Sequence, residues 1–148
     1  MSMRLPTSPN RAFRPSDALR VRRFMTGGPH TIGCEQTIAR AQELMRSYRV
    51  RHLPVLKGGK LVGLVSERDI YFVEALEAER SSQLPVEHAM AQDIFSVGPD
   101  ESVADVARSM MSEKFGCAVV VDGGKVCGVF TANDALRALL PFAPKLAS

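Results

Sequence analysis

Two short segments carry a hydroxyl and a carboxylate at a spacing that serves either a helix or a ligand. Ser66 and Asp69 stand three positions apart, and so do Thr131 and Asp134. A hydroxyl followed three residues later by an acid is typical of a capping box, in which both side chains satisfy free amides of the first helical turn. A helix N-terminus also favours anions, because its amides and dipole point outward. The same residues therefore support structural capping and anion binding alike.

These segments are copies of one repeat. Residues 63–69 read GLVSERD and residues 128–134 read GVFTAND, 65 positions further along. The register holds without a gap over most of the chain, so a unit of 65 residues occurs twice. The glycine before each hydroxyl predicts that a ligand or a neighbouring backbone closely approaches the strand there.

The elements that position these residues follow from apolar spacing. In the first unit the pattern predicts a helix from Glu35 to about Tyr48 and a second helix from Ser66 to about Leu76. Two strands joined by a Gly58–Gly59 hairpin lie between these helices. With an extended segment before the first helix, each unit is predicted to be strand, helix, strand, strand, helix. The fold class is α/β, and two such units share a core because one alone buries too little surface.

The region before the first unit is predicted to be a basic arm. Residues 1–23 contain six arginines against the single acid Asp17, whereas the net charge of the whole chain is +3. Three prolines favour an irregular conformation at its start, and Ser16 is a plausible N-cap for a short helix running toward Phe24. A basic arm is suited to contacts with nucleic acid or another anionic surface, or serves only as a solvated leader.

Composition limits the function classes. Hydrophobic residues make up 45% and charged residues 24% of the chain, which is typical of a soluble globular protein. No apolar run is long enough to span a membrane, and the N-terminus lacks the apolar core of a signal peptide, so we expect a cytoplasmic protein without membrane contacts. Three cysteines without CxxC spacing and three scattered histidines predict neither a disulfide framework nor a metal site.

The repeated motif resembles a known family. A strand, the pattern Gly-x-x-[Ser/Thr]-x-x-Asp and a helix, repeated and preceded by the strand RHLPV at 51–55, is similar to a tandem pair of CBS (cystathionine β-synthase) domains, the Bateman module. The resemblance covers about residues 22–141. It predicts two pseudo-symmetric β-α-β-β-α repeats packed as one compact module. The expected parts are a basic N-terminal arm at 1–21, CBS repeat 1 at 22–78, a linker at 79–85, CBS repeat 2 at 86–141 and a C-terminal tail at 142–148.

The resemblance implies a regulatory module rather than an enzyme. Clefts between the repeats would bind AMP, ADP, ATP or S-adenosylmethionine and signal by conformational change, with no further cofactor. The aspartate of each motif would hold ribose hydroxyls, the Ser or Thr would lie near ribose and phosphate, and other positions would contact the purine or the phosphates. The expected ligand-binding residues are Thr26, Pro29, His30, Val50, Arg51, His52, Ser66, Arg68 and Asp69 in repeat 1, and Ala91, Ile94, Phe95, Phe115, Gly116, Thr131, Asn133 and Asp134 in repeat 2.

The repeats differ where the resemblance implies phosphate binding. Three basic or imidazole positions of repeat 1 have uncharged counterparts in repeat 2. The pairs are Arg51 and Gly116, His52 and Cys117, and Arg68 and Asn133. We therefore expect two unequal clefts, with phosphate affinity supplied by repeat 1.

The expected partners are a second copy of the chain and a regulated protein. The resemblance implies a homodimer, and the expected surface is apolar: Ile70, Val73, Leu76, Leu136, Leu139 and Leu140. It also implies a regulated protein, which the sequence does not identify. The alternative function is a nucleic-acid-associated protein that uses the basic arm, with the repeats as a dimerisation scaffold. An enzyme is not expected, because no nucleophile or partnered carboxylate is placed beside His52.

Overall fold

The structure is a computed structural model that describes residues 19–142. The predicted arm and tail lie outside the described residues, apart from 19–21 and 142. In chain order the elements are β1 (Thr26–Gly27), β2 (Ile32–Gly33), α1 (Ile38–Tyr48), β3 (His52–Lys57), β4 (Lys60–Ser66), α2 (Glu67–Glu77), β5 (Ser96–Val97), α3 (Val103–Glu113), β6 (Cys117–Asp122), β7 (Lys125–Thr131) and α4 (Ala132–Leu139).

The two repeats have the same topology, which confirms the predicted α/β fold. In repeat 1, β2 is parallel to β3 and β3 is antiparallel to β4, which gives the sheet order β2-β3-β4. In repeat 2, β5, β6 and β7 pair in the same way. The sheet of repeat 2 has one more strand, β1, on its outer edge.

The segment that precedes each repeat crosses to the other repeat. Thr26 and Gly27 of β1 pair antiparallel with Val129 and Gly128 of β7. On the opposite side, the Ala91 amide donates to the Leu64 carbonyl of β4 at 2.9 Å, and the Leu64 amide donates to the Ala91 carbonyl at 3.0 Å. These reciprocal crossings join the repeats into one module, since each sheet is completed by backbone from the other half of the chain.

The motif glycines are required by this crossing. A Cβ on Gly128 would lie 2.5 Å from the sulfur of Met25 and 3.1 Å from the Thr26 carbonyl oxygen. Gly63 has the same relationship to Met90 and to the backbone of Ala91. The sequence left open whether ligand or backbone approaches these glycines; in the structure it is the backbone and the methionine of the crossing segment.

Each repeat has its own apolar core, so the prediction that the two units share one core is wrong. Ile38, Leu53 and Val65 belong to the first cluster, and Phe130 and Val120 belong to the second. Leu19 and Val21, which the sequence assigned to the arm, are buried in the second cluster.

Burial corrects part of the predicted dimer surface. Ile70 and Val73 are buried in the first core, so the prediction that they form a surface is wrong. On an amphipathic helix these two positions face inward, and Phe72 and Leu76 of the same helix are exposed instead.

Hydroxyl residues decide where the helices begin. The N-caps of α1 to α4 all accept a hydrogen bond from the amide three residues later; they are Thr37, Ser66, Ser102 and Thr131. The helix predicted from Glu35 therefore begins at Ile38, because Thr37 caps it.

Two connecting segments differ from the simple expectation. The helix predicted from Ser16 to Phe24 is wrong within the described residues: Arg20 is extended and pairs with Ser102, and only a 3₁₀ turn at Val21–Arg23 follows. The region expected to be a linker contains a 3₁₀ segment at Ala78–Gln83.

Candidate ligand-binding cleft

One cleft between the two repeats collects most of the predicted site residues. Its volume is about 860 Å³. Three parts of the chain line it. They are β1 with the residues that follow it, the turn from α1 into β3, and the part of repeat 2 where β6 begins, β7 ends and α4 begins. The lining residues are Thr26, Gly27, Gly28, Pro29, His30, Tyr48, Arg49, Val50, Arg51, His52, Gly116, Val129, Thr131, Ala132, Asn133 and Asp134. We call it the Asp134 cleft.

The crossing of β1 creates this cleft. Because Thr26 pairs with Val129, the segment that begins repeat 1 lies against the strand that leads to Thr131. The Gly116 carbonyl accepts a hydrogen bond from the Ala132 amide at 2.9 Å, which holds the start of β6 at the N-terminus of α4. Residues that are about 100 positions apart in the chain therefore face one another.

The hydroxyl and carboxylate of the repeat 2 motif form a complete capping box. The Asp134 amide donates to Thr131 Oγ1 at 3.2 Å, and the Thr131 amide donates to Asp134 Oδ2 at 2.9 Å. The Thr131 hydroxyl lies 3.1 Å from the same Oδ2. Arg137 donates to Asp134 Oδ1 at 2.8 Å. Asp134 is only 7% exposed, so its charge is stabilised by these donors in a mostly dry position.

The opposite wall of the cleft is basic and aromatic. Arg49 and Arg51 both line it, and both are exposed to solvent. The His30 and Tyr48 rings stack with centroids 3.5 Å apart and an interplanar angle of 16°. Guanidinium groups pair bidentately with phosphate oxygens, and stacked rings offer a face to a planar base. This wall therefore suits a ligand with an aromatic part and an anionic part.

His52 and its repeat 2 counterpart Cys117 do not offer a positive charge to a phosphate. Burial lowers the pKa of His52 below its ordinary 6.5, opposed by the nearby Asp69 and reinforced by Arg51. The imidazole is therefore neutral at pH 7 and offers a hydrogen bond rather than a charge. Burial raises the pKa of the Cys117 thiol to about 12, so that it packs as a small apolar side chain.

The structure divides the predicted site residues into two groups. Those brought together in the Asp134 cleft are Thr26, Pro29, His30, Val50, Arg51, His52, Gly116, Thr131, Asn133 and Asp134. Those that do not line it are Ser66, Arg68, Asp69, Ala91, Ile94, Phe95 and Phe115. All seven belong to the motif of repeat 1 or to the crossing and strand-entry segments of repeat 2.

That second group includes the motif of repeat 1, which is built like the motif of repeat 2. Ser66 and Asp69 form the same capping box, with N···O distances of 2.9 and 3.1 Å, and Ala91 pairs with β4 just before it. Phe95 and Phe115 stack on each other, with centroids 5.3 Å apart at 9°. The two motifs are thus built alike in the backbone, and each repeat has one stacked pair of rings among the described residues, His30 with Tyr48 and Phe95 with Phe115.

Sequence reasoning missed several lining residues. They are Gly27, Gly28, Tyr48, Arg49, Val129 and Ala132. Arg49 and Tyr48 directly precede the predicted Val50, so the helix end was the available signal. Val129 had no signal in the sequence, because only the antiparallel pairing with Thr26 brings it to the cleft.

Fold and cleft define a class of protein: a two-repeat α/β module with a ligand-sized cleft at the interface of the repeats. A model of the CBS domain matches residues 21–75 and again 86–141. The chain belongs to the CBS domain family, as two CBS domains in tandem. The resemblance seen in the sequence is confirmed.

Two curated relatives show how such pairs occur. The chain is 34% identical over 117 residues to inosine-5'-monophosphate dehydrogenase of Korarchaeum cryptofilum, and this match covers 78% of the chain but only 23% of that enzyme. It is 29% identical to the CBS domain-containing protein YhcV of Bacillus subtilis, which covers 77% of the chain and 81% of YhcV. The module therefore occurs both within larger proteins and as most of a small one.

Two solved structures agree in fold over nearly their whole length. The CBS domain pair of protein MJ0100, in complex with 5'-methylthioadenosine and S-adenosyl-L-methionine, superposes with a TM-score of 0.76 at 25% identity, covering 85% of this chain and 99% of that one. The structure of CBSX2 in complex with AMP superposes with a TM-score of 0.73 at 25% identity, covering 83% of this chain and 97% of that one. Within residues 19–142, no helix is long and apolar enough to cross a membrane, and no group of side chains suits a metal ion.

Proposed function

We propose that this chain is a regulatory module that binds an adenine nucleotide in the Asp134 cleft and transmits the bound state by conformational change. One observation carries the proposal. The motif residues Thr131 and Asp134 share a single cleft of about 860 Å³ with Arg49 and Arg51. A carboxylate for ribose hydroxyls and cations for phosphates are the two polar requirements of a nucleotide.

The hydrogen-bond inventory of Asp134 leaves room for a ribose. Its Oδ2 accepts from the Thr131 amide and hydroxyl, and its Oδ1 accepts from Arg137. A carboxylate has about four acceptor positions, so one position on Oδ1 remains for a ligand hydroxyl. Capping and ligand binding are therefore compatible in the same side chain.

The structural relatives support the class of ligand. Adenosyl compounds are bound by the CBS pair of MJ0100, and AMP is bound by CBSX2. An adenine nucleotide fits the cleft of this chain because the stacked His30 and Tyr48 rings offer a surface for the purine.

Signalling follows from the position of the cleft. Its walls come from both repeats, and β1 connects the start of repeat 1 to the sheet of repeat 2. A ligand that contacts both walls stabilises one arrangement of the repeats relative to others, and that shift is what a regulated protein would detect. Binding rather than catalysis is the proposed activity; among the described nucleophiles, Cys117 is buried with a pKa of about 12.

We further propose a homodimer. Large apolar side chains are exposed on α2 and on α4 with the turn that follows it: Phe72, Leu76, Leu136 and Leu140. Exposed apolar clusters on helices of a small protein are typical of an interface, and this set replaces the predicted one that included buried Ile70 and Val73.

A thermal-shift experiment tests the function. The full chain and a chain lacking residues 1–18 are heated with AMP or ATP, and at a hundredfold excess over Kd a bound ligand stabilises the folded state by about 2.7 kcal/mol. We expect the same shift in both proteins. No shift with either nucleotide, together with steeply salt-dependent nucleic-acid binding that requires residues 1–18, would favour the alternative function instead.

A further inference from the structure

We infer that the Asp134 cleft selects an anionic adenosyl ligand over a neutral or a cationic one, and that Arg49 is the specificity-determining residue that acts with Arg51. This inference rests on the proposed function and deepens it. It excludes S-adenosylmethionine, one of the four ligands that the family resemblance implies, from this cleft.

The balance of charge in the lining favours an anion. Two arginines, Arg49 and Arg51, line the cleft, and Asp134 is the single acidic residue among its lining residues. Asp134 is already paired with Arg137 at 2.8 Å and is 7% exposed. A phosphate, with up to two negative charges, gains more from two arginines than S-adenosylmethionine does, because the single carboxylate of that ligand is outweighed by its sulfonium and ammonium groups.

The cleft also has open space beside Gly116. Gly116 stands where repeat 1 has Arg51, and a Cβ added to Gly116 would meet nothing within 4 Å. Gly116 lines the cleft and is held by the Ala132 amide at the N-terminus of α4. At Gly116, therefore, no side chain of repeat 2 occupies the cleft that Arg49 and Arg51 line.

Arg49 occupies an unusual backbone position for a long side chain. It ends α1 in the left-handed region, with φ 54° and ψ 44°, and its amide donates to the Met45 carbonyl. Glycine is the residue favoured at such a helix end, because it has no Cβ to strain. Lys114 ends α3 in the same way, with φ 61° and ψ 40°, but Lys114 does not line the Asp134 cleft.

This backbone position separates binding from folding. Arg49→Gly removes the guanidinium and relieves the left-handed strain at once, so the variant is expected to melt no lower than the wild type. Any loss of nucleotide affinity then cannot be ascribed to unfolding. Lys114→Gly is the matched control, since it makes the same change of backbone freedom at the equivalent helix end.

The experiment is calorimetric titration of the full chain with AMP, adenosine and S-adenosylmethionine. Wild type is expected to bind AMP at least tenfold more tightly than either of the other two ligands. Arg49→Gly should weaken AMP binding about tenfold to a hundredfold, the range for loss of a charge-assisted hydrogen bond, and leave adenosine unchanged. Arg49→Asn, whose side chain tolerates the left-handed region, should do the same, and Lys114→Gly should retain the preference for AMP.

The outcomes distinguish this inference from the function on which it rests. If adenosine or S-adenosylmethionine binds wild type as tightly as AMP, or if both Arg49 variants keep the preference, charge selection by Arg49 is wrong while adenosyl binding stands. If none of the three ligands binds, the proposed function fails, and the inference fails with it.

Discussion

Arg137 donates a hydrogen bond to Asp134 at 2.8 Å and reaches the Phe24 carbonyl at 3.3 Å, so that one guanidinium joins the motif of repeat 2 to the start of repeat 1. The equivalent of Arg137 in repeat 1 is Phe72, an exposed aromatic residue. Among the described residues, Asp69 forms its hydrogen bonds only within the capping box. The two motif aspartates therefore have the same local structure and different surroundings.

Asp134→Ala is expected to affect both stability and binding. Loss of the cap lowers the free energy of unfolding by about 1 kcal/mol, and loss of the ribose partner weakens nucleotide binding by about 1.5–3 kcal/mol. Asp69→Ala is the matched control for the cleft: it loses an equal cap and leaves affinity in the Asp134 cleft intact. Urea titration measures the free energy of unfolding of each variant, and AMP titration measures its affinity. Equal affinities in wild type and Asp134→Ala would mean that this aspartate only caps its helix.

Gly128→Ala is expected to loosen the crossing of β1. The added methyl group would lie 2.5 Å from the Met25 sulfur and 3.1 Å from the Thr26 carbonyl, so the segment must move, at a cost of about 1–3 kcal/mol. Because Thr26 lines the cleft, AMP affinity should fall as well. Gly98→Ala, whose nearest contact would be an ordinary 3.7 Å, is the control. A Gly128→Ala protein as stable as Gly98→Ala would show that the close approach is unimportant.

The apolar surface on α2 and α4 is expected to form a homodimer. Phe72→Glu and Leu136→Glu place a charge on this surface without touching either core, and each should convert a dimer into a monomer. Ser82→Glu adds the same charge at an exposed position of the 3₁₀ segment and should remain dimeric. Light scattering at micromolar concentration measures the masses. A wild-type protein that is already monomeric would contradict the proposal.

His52 is expected to make stability depend on pH. Its folded-state pKa lies below the 6.5 of an exposed histidine, chiefly because it is partly buried, so the unfolded chain takes up a proton more readily than the folded one. Stability from this group is full above about pH 6.5 and is lost as the pH falls toward the lower folded pKa. His52→Gln should flatten this part of a urea-stability profile, whereas His88→Gln, which leaves His52 in place, should keep it. An identical slope in all three proteins would refute this assignment.

Much of the fold was predictable because the signals are local. The ungapped repeat, the hydroxyl caps and the Gly58–Gly59 hairpin gave the order of elements, and the structure confirms it. The dimer surface was predicted less well: Ile70 and Val73, whose spacing places them on the inward side of α2, were also counted as a partner surface, which their burial excludes.

The composition of the cleft was harder to predict because it depends on pairing between distant strands. Sequence similarity grouped residues by repeat, whereas the pairing of Thr26 with Val129 mixes the repeats. Arg51 consequently lines the same cleft as Thr131 and Asp134, although its carbonyl also accepts a hydrogen bond from the Glu67 amide of its own repeat, and Arg68 does not line that cleft. Arg49 escaped notice although it directly precedes the predicted Val50, because an arginine at a helix end does not by itself indicate a left-handed backbone.

Native mass spectrometry with added AMP is the decisive test of nucleotide binding, because it reports bound mass, stoichiometry and oligomeric state from one spectrum. We expect the protein to gain the mass of AMP in a saturable way, and Asp134→Ala to gain less at the same nucleotide concentration. A folded protein that shows no AMP adduct at millimolar nucleotide would rule out the proposed binding.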